Sequence, residues 1–201
     1  GNKYEFNNLE CGTYMVEENT VSGYEPITFT IVVSEKGENK IAVAEVISST
    51  VNGDSSQYSI WSDNANGKVL TNIAKTTSLT LSKTYNGIKT GHATFKITEK
   101  DEENPMADIG LKDGLYTFSG LQYGKTYTVV ENAPLGYVGV EFTIDVTKTD
   151  GNGDPIAEIK EDFNGLTKGS QGAGYDYALV NKVKTTGFSF NKVFEKNRNT
   201  T

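Results

Sequence analysis

Residues 142–146 read Phe-Thr-Ile-Asp-Val, with apolar and polar side chains in strict alternation. That period of two places one face of a strand inside and the other in water. The same alternation predicts strands near 78–84, 93–99, 114–118, 126–132, 139–147, 155–160 and 176–184, and earlier in the chain near 12–18, 27–34, 40–47, 57–61 and 68–74. Gly, Asn and Asp separate these runs, and Asp150-Gly-Asn-Gly-Asp154 is the strongest turn signal. No stretch carries a convincing helical period, and 101–112 and 163–174 read as loops. The pattern predicts an all-β chain.

The strands also repeat. Asn72-Ile-Ala-Lys75-Thr-Thr-Ser-Leu-Thr-Leu-Ser-Lys83 returns 109 residues later as Asn181-Lys-Val-Lys184-Thr-Thr-Gly-Phe-Ser-Phe-Asn-Lys192. Phe6-Asn-Asn-Leu9 and Tyr14-Met-Val-Glu-Glu18, with Gly23-Tyr24 beyond, are answered by Phe118-Ser-Gly-Leu121 and Tyr127-Thr-Val-Val-Glu131, with Gly136-Tyr137 beyond. A period of this length suits a β-sandwich and is much too long for a solenoid. It predicts sandwich modules in tandem: the later part of one over 1–75, a complete one over 76–186, and the first strand of a third over 187–201.

Composition narrows the function. The chain has 201 residues, 36% of them apolar, with 11 Tyr and 9 Phe, as thin sandwiches with one buried face per strand require. The net charge of −7, without a basic cluster, argues against a nucleic-acid partner. One cysteine, Cys11, excludes an intrachain disulfide, and no run approaches the length of a membrane span.

Three polar residues fall on the wrong face of their strands. Leu79, Leu81 and Lys83 are in phase, as are Tyr127, Val129 and Glu131, and Leu179, Asn181 and Val183. The repeat shows the same in Tyr14, Val16 and Glu18, in Leu70, Asn72 and Ala74, and in Phe188, Phe190 and Lys192. A buried charge without a partner costs several kcal/mol or neutralises. A lysine–glutamate ion pair would leave the asparagine without a reason to join them. Attack of the lysine amine on the asparagine side-chain carbonyl, with loss of ammonia, removes the difficulty by leaving a neutral amide. Burial favours the neutral amine and the protonated carboxyl, so Lys83 can act as nucleophile and Glu131 as the group that polarises the Asn181 carbonyl and relays protons. Proximity in a folded core supplies the effective concentration. The event occurs once per molecule and is maturation, not turnover.

These residues resemble a known family. Tyr127-Thr-Val-Val-Glu131-Asn-Ala-Pro-Leu-Gly-Tyr137, with Phe118-Ser-Gly-Leu121 before it, is similar to the glutamate box of the Cna B-type domains of Gram-positive pilins and cell-wall-anchored adhesins. The resemblance covers 76–184 and both flanking stretches. It implies an inverse immunoglobulin-like sandwich whose first and last strands are joined by an isopeptide bond between Lys83 and Asn181, with Glu131 catalytic. It places Glu18 and Asn72 at the matching positions of the first module, and Lys192 at the lysine position of the third.

The resemblance implies a structural stalk or pilus-shaft segment at the surface or in the wall of a Gram-positive bacterium, partnered by neighbouring modules. The alternative is an adhesin module that binds a host matrix protein or a glycan. Neither needs a cofactor, and no residue pattern suggests an enzyme. Asp150, Asn152, Asp154 and Glu161 have the offsets of a calcium loop, but Pro155 stands where that loop needs glycine, so a hairpin turn is expected and no metal site. His92, the single histidine, reads as a turn or surface residue. Trp61 with Tyr58 reads as core or module contact in preference to a sugar platform.

Overall fold

The computed structural model describes residues 3–55, 60–64, 67–86, 92–102, 109, 111–112 and 115–193. Among them every regular element is a strand. In the N-terminal part these are β1 (Gly12–Glu17), β2 (Ile27–Lys36), β3 (Ile41–Val51), β4 (Trp61–Asn64) and β5 (Gly67–Leu70). The rest comprises β6 (Thr76–Tyr85), β7 (Thr94–Glu99), β8 (Leu111–Lys112), β9 (Leu115–Gln122), β10 (Thr126–Asn132), β11 (Glu141–Thr149), β12 (Pro155–Ile159), β13 (Leu166–Lys168) and β14 (Tyr177–Asn181).

From β6 onward the chain forms a two-layer sandwich. One sheet has the order β12-β11-β10-β7, and the other β13-β14-β6-β9-β8. Every paired neighbour is antiparallel except the first and last strands of the unit, β6 and β14, which run parallel with Leu179 opposite Lys83 and Asn181 opposite Tyr85. The alternating residues meet between the layers: Leu79, Leu81, Phe95, Ile97, Tyr116, Phe118, Tyr127, Val129, Phe142, Ile144, Val146 and Leu179 are all buried. Phe95 lies edge-on to Tyr116, Phe118 and Phe142, the offset geometry aromatic rings prefer.

The N-terminal part has its own core. β1, β2 and β3 form a meander, β4 and β5 a hairpin. Ile27, Phe29, Ile31 and Val33, the inward positions of β2, cluster with Val51 and Ile60, and Trp61 packs edge-on to Phe29. Trp61 therefore serves the core; Tyr58 lies outside the described residues.

The strand pattern is close to the one expected, with informative differences. β8 and β13 lie inside the stretches read as loops, because two- and three-residue strands leave no detectable period. The expected strand at 68–74 ends at Leu70, and Ala74 returns only as a single bridge to Tyr24. The strand expected over 57–61 includes undescribed positions; its visible end starts β4, which continues to Asn64. Asp150-Gly-Asn-Gly-Asp154 is a hairpin turn, its Asp150 carboxylate accepting the backbone N–H groups of Asn152 and Asp154, both at 2.9 Å. Glu161 accepts the Thr143 N–H at 2.7 Å, and among the described residues no group of three His, Cys, Asp or Glu side chains could hold a metal ion.

Asp145 lies between the core residues Ile144 and Val146 and so faces the other side of the sheet, next to a β-bulge, yet it is only 5% exposed. Burial alone would raise its pKa, but the Lys160 ammonium and the Thr147 hydroxyl at 3.0 Å outweigh that and hold it below the ordinary range. With the folded pKa below the unfolded one, Asp145 contributes stability above about pH 3.9, the unfolded value, and loses it as pH falls through the folded pKa. Thermal unfolding below pH 4 should therefore show a smaller acid-induced drop in Asp145→Asn than in the parent.

Candidate functional site

β6, β10 and β14 carry Lys83, Glu131 and Asn181 to one place at the end of the sandwich. Each follows an inward-facing apolar residue two positions earlier, so the pleat alone directs it into the core. The Lys83 and Glu131 side chains are 2% and 0% exposed, and Asn181 is 1% exposed. Lys83 Nζ lies 3.5 Å from Glu131 Oε1, and Asn181 Nδ2 donates to Glu131 Oε2 at 2.8 Å. Glu131 thus stands between the amine and the carboxamide.

Asn181 Nδ2 also donates to the Val138 carbonyl at 2.6 Å. A carbonyl can only accept, so this contact fixes which end of the amide is nitrogen. Glu131 therefore faces the nitrogen of the carboxamide, whereas the sequence reading turned the carbonyl oxygen toward it. Glu131 Oε1 and Asn181 Oδ1 are buried and lack hydrogen-bond partners among the described residues. Oε1 keeps the Lys83 amine at 3.5 Å, whereas an oxygen without such a partner, like Asn181 Oδ1, is rare in a folded interior and costs about 1–3 kcal/mol.

Lys83 Nζ additionally donates to the Thr84 carbonyl at 3.2 Å and sits 4.5 Å above the Tyr85 ring. Burial pulls the amine below its ordinary pKa, with the neighbouring Glu131 carboxylate opposing. Tyr85 in turn packs edge-on to Tyr137, and its hydroxyl accepts the Ala93 N–H at 2.8 Å. The Tyr116 hydroxyl donates to the Ala93 carbonyl at 2.6 Å, and burial, aided by nearby Tyr85 and Glu131, pushes its pKa up to about 12. The sequence reading missed Tyr85 and the Val138 carbonyl. Tyr85 was in phase with Leu79, Leu81 and Lys83 and could have been found; a backbone carbonyl has no sequence signal.

In the N-terminal part Asn72 Nδ2 donates to Glu18 Oε1 at 2.9 Å, half-buried. The surrounding backbone repeats as well. Glu18 N–H donates to the Ile27 carbonyl as Glu131 N–H does to Val140, and Tyr24 bridges Ala74 as Tyr137 bridges Val183. Lys192 lies in the exposed stretch after β14, outside the strands. His92 and Cys11 are exposed.

Residues 77–162 match the family model of the SpaA prealbumin-like fold domain. Over 150 residues, 67% of this chain, the sequence is 31% identical to serine-aspartate repeat-containing protein D of Staphylococcus aureus strain Newman, and equally so to the same protein of strains MW2 and NCTC 8325 / PS 47. The chain spans 10% of the length of these curated relatives. No solved structure matches. Sandwich, glutamate box and family match agree: residues 77–162 belong to the SpaA prealbumin-like domains, in the Cna B-type class of Gram-positive surface proteins.

Proposed function

We propose that this chain is a structural segment of a bacterial surface protein, a stalk or pilus-shaft piece whose sandwich over 76–186 is closed by a self-formed amide between Lys83 and Asn181. The observation that carries the reading is Glu131, fully buried and within 3.5 Å of the lysine amine and 2.8 Å of the asparagine amide nitrogen. As a mere ion pair, with Lys83 Nζ 3.5 Å from Glu131 Oε1, the arrangement leaves Asn181 Oδ1 buried without a hydrogen-bond partner. As a reactant state it has the parts in reach.

The neutral Lys83 amine adds to Cγ of Asn181, forming the new C–N bond. Glu131 takes the proton the lysine nitrogen sheds and delivers one to Nδ2, which it already faces. The Cγ–Nδ2 bond then breaks and ammonia leaves. One amine and one carboxamide become one secondary amide and one ammonia, with no oxidant or cofactor. The depressed pKa of Lys83 raises the fraction of neutral amine near neutral pH.

In this reading 1–75 is the later part of a preceding module, with Glu18 and Asn72 its equivalent residues, and 187–201 opens a following one through Lys192. The location is extracellular, on the surface or wall of a Gram-positive cell, and the partners are neighbouring modules. No helix among the described residues is long and apolar enough to cross a membrane. The relatives' surface-protein character supports the assignment.

Intact mass decides the chemistry. The purified chain should weigh one ammonia less than its sequence mass, and Lys83→Ala, Glu131→Ala and Asn181→Ala should each restore the full value. A wild-type mass equal to the sequence mass overturns the bond.

A further inference from the structure

The N-terminal part, read as the later part of a first sandwich, meets the second sandwich of β6–β14 through a small set of residues. On the N-terminal side are Gly23, Tyr24 and Lys75. On the other side are Tyr123, in the β9–β10 turn, and the Asp150–Asp154 turn between β11 and β12. Gly23 N–H donates to the Gly153 carbonyl at 2.9 Å, and Tyr123 N–H to the Lys75 carbonyl at 2.9 Å. The Lys75 ammonium reaches Asp154 Oδ1 at 2.6 Å and the Gly153 carbonyl at 3.5 Å. Tyr24 stands edge-on to Tyr123, with ring centres 5.6 Å apart. Gly23 lies flat against the same ring, so close that a Cβ there would fall 2.2 Å from it.

The N-terminal half of this contact exists twice. Gly136, Tyr137 and Lys184 stand in the second sandwich where Gly23, Tyr24 and Lys75 stand in the first. Gly136 has φ +87° and Gly23 +83°. Lys184 N–H donates to the Gly136 carbonyl at 2.8 Å, as Lys75 N–H does to Gly23. Val138 N–H donates to Lys182 as Glu25 N–H donates to Ile73. The difference is cover. Gly23 is buried and Lys75 half-buried, whereas Gly136 is half-exposed, Lys184 is exposed, and a Cβ at Gly136 would meet nothing within 4 Å; the tyrosines differ the other way, Tyr24 being half-buried and Tyr137 buried against Tyr85.

We infer that Gly136 and Lys184, on either side of the buried Tyr137, form a preformed docking surface for a further sandwich that presents a tyrosine and an acidic turn as Tyr123 and Asp150–Asp154 do here. The surface selects its occupant by charge. In the second sandwich the residue immediately before β12 is Asp154, which pairs with a lysine. In the first, the corresponding residue before β3 is Lys40. A sandwich with the first one's turn would set lysine against Lys184, while one with the second's turn repeats the observed contact. Like charges this close repel and opposite charges fix register. The inference rests on the reading of the chain as modules in tandem and is independent of any bond between Lys83 and Asn181.

The test is the chain through Lys184 followed by a second copy of residues 76–184, so that the Lys-Thr-Thr joint is kept. Amide exchange of Gly136 N–H is compared with that in the parent chain, with the core amides of Leu79 and Leu179 in the appended copy showing that it is folded. Exchange at Gly136 should slow at least tenfold, and small-angle scattering should give a straight rod of three units. Asp154→Lys in the appended copy should abolish the slowing while the copy stays folded, and Lys184→Asp added to that variant should restore it. Unchanged exchange at Gly136 beside a folded appended copy, or slowing that survives Asp154→Lys, overturns the inference.

Discussion

Lys83→Met is expected to lower the midpoint of thermal unfolding of the 76–186 sandwich by roughly 20 °C, at about 4 °C per kcal/mol for a domain this size. The bond from Lys83 to Asn181 would close a loop of nearly a hundred residues, and a cross-link of that span removes about 4–5 kcal/mol of chain entropy from the unfolded state. The sign of the change is the discriminating part. If Lys83 and Glu131 formed only a buried ion pair, an apolar residue of similar volume would be neutral or stabilising, because desolvation cancels much of the Coulombic gain. A methionine variant that melts at or above the parent temperature therefore excludes the cross-link. Differential scanning calorimetry at neutral pH reads this directly.

Phe118→Ala should have the next largest effect. Phe118 is 1% exposed and packs edge-on to both Phe95 and Phe142, so truncation removes a ring from the middle of the sandwich. Loss of an aromatic side chain at such a site costs about 3–5 kcal/mol, part of it for the cavity left behind. The proposed maturation needs a dry, ordered core, and a looser one exposes Lys83 to water and raises its pKa toward the ordinary value. The variant should show both a depressed melting temperature and a mixture of two masses one ammonia apart. A fully matured variant would show that the chemistry tolerates a loosened core.

Most of the sandwich was legible because its physics is local. β10 alternates over Tyr127, Val129 and Glu131, and β11 over Phe142, Ile144 and Val146, and a strand with one wet face cannot hide that period. Lys83, Glu131 and Asn181 were legible for the same reason, since a polar residue in phase with core residues is conspicuous. β8 and β13 were not, because neither is long enough to show a period; they are set by their partners in β9 and β14. The burial of Asp145 was also hidden. It lies on the face away from Ile144 and Val146, where a polar residue is expected, and its lysine partner, Lys160, comes from beyond β12. The Asn181 amide orientation was set by the Val138 carbonyl, forty-three positions away in sequence.

The parallel pairing of β6 with β14 has a mechanical consequence. Tension entering at Thr76 and leaving near Lys184 pulls the two strands past each other lengthwise, so their hydrogen bonds share the shear together and do not open one by one. With an amide from Lys83 to Asn181, the force would run along eight residues of β6, cross once, and leave through the last few. Residues 84–180 would hang off that line. At about 3.4 Å per residue, roughly 330 Å of chain would never be paid out, and the segment would behave as an inextensible link.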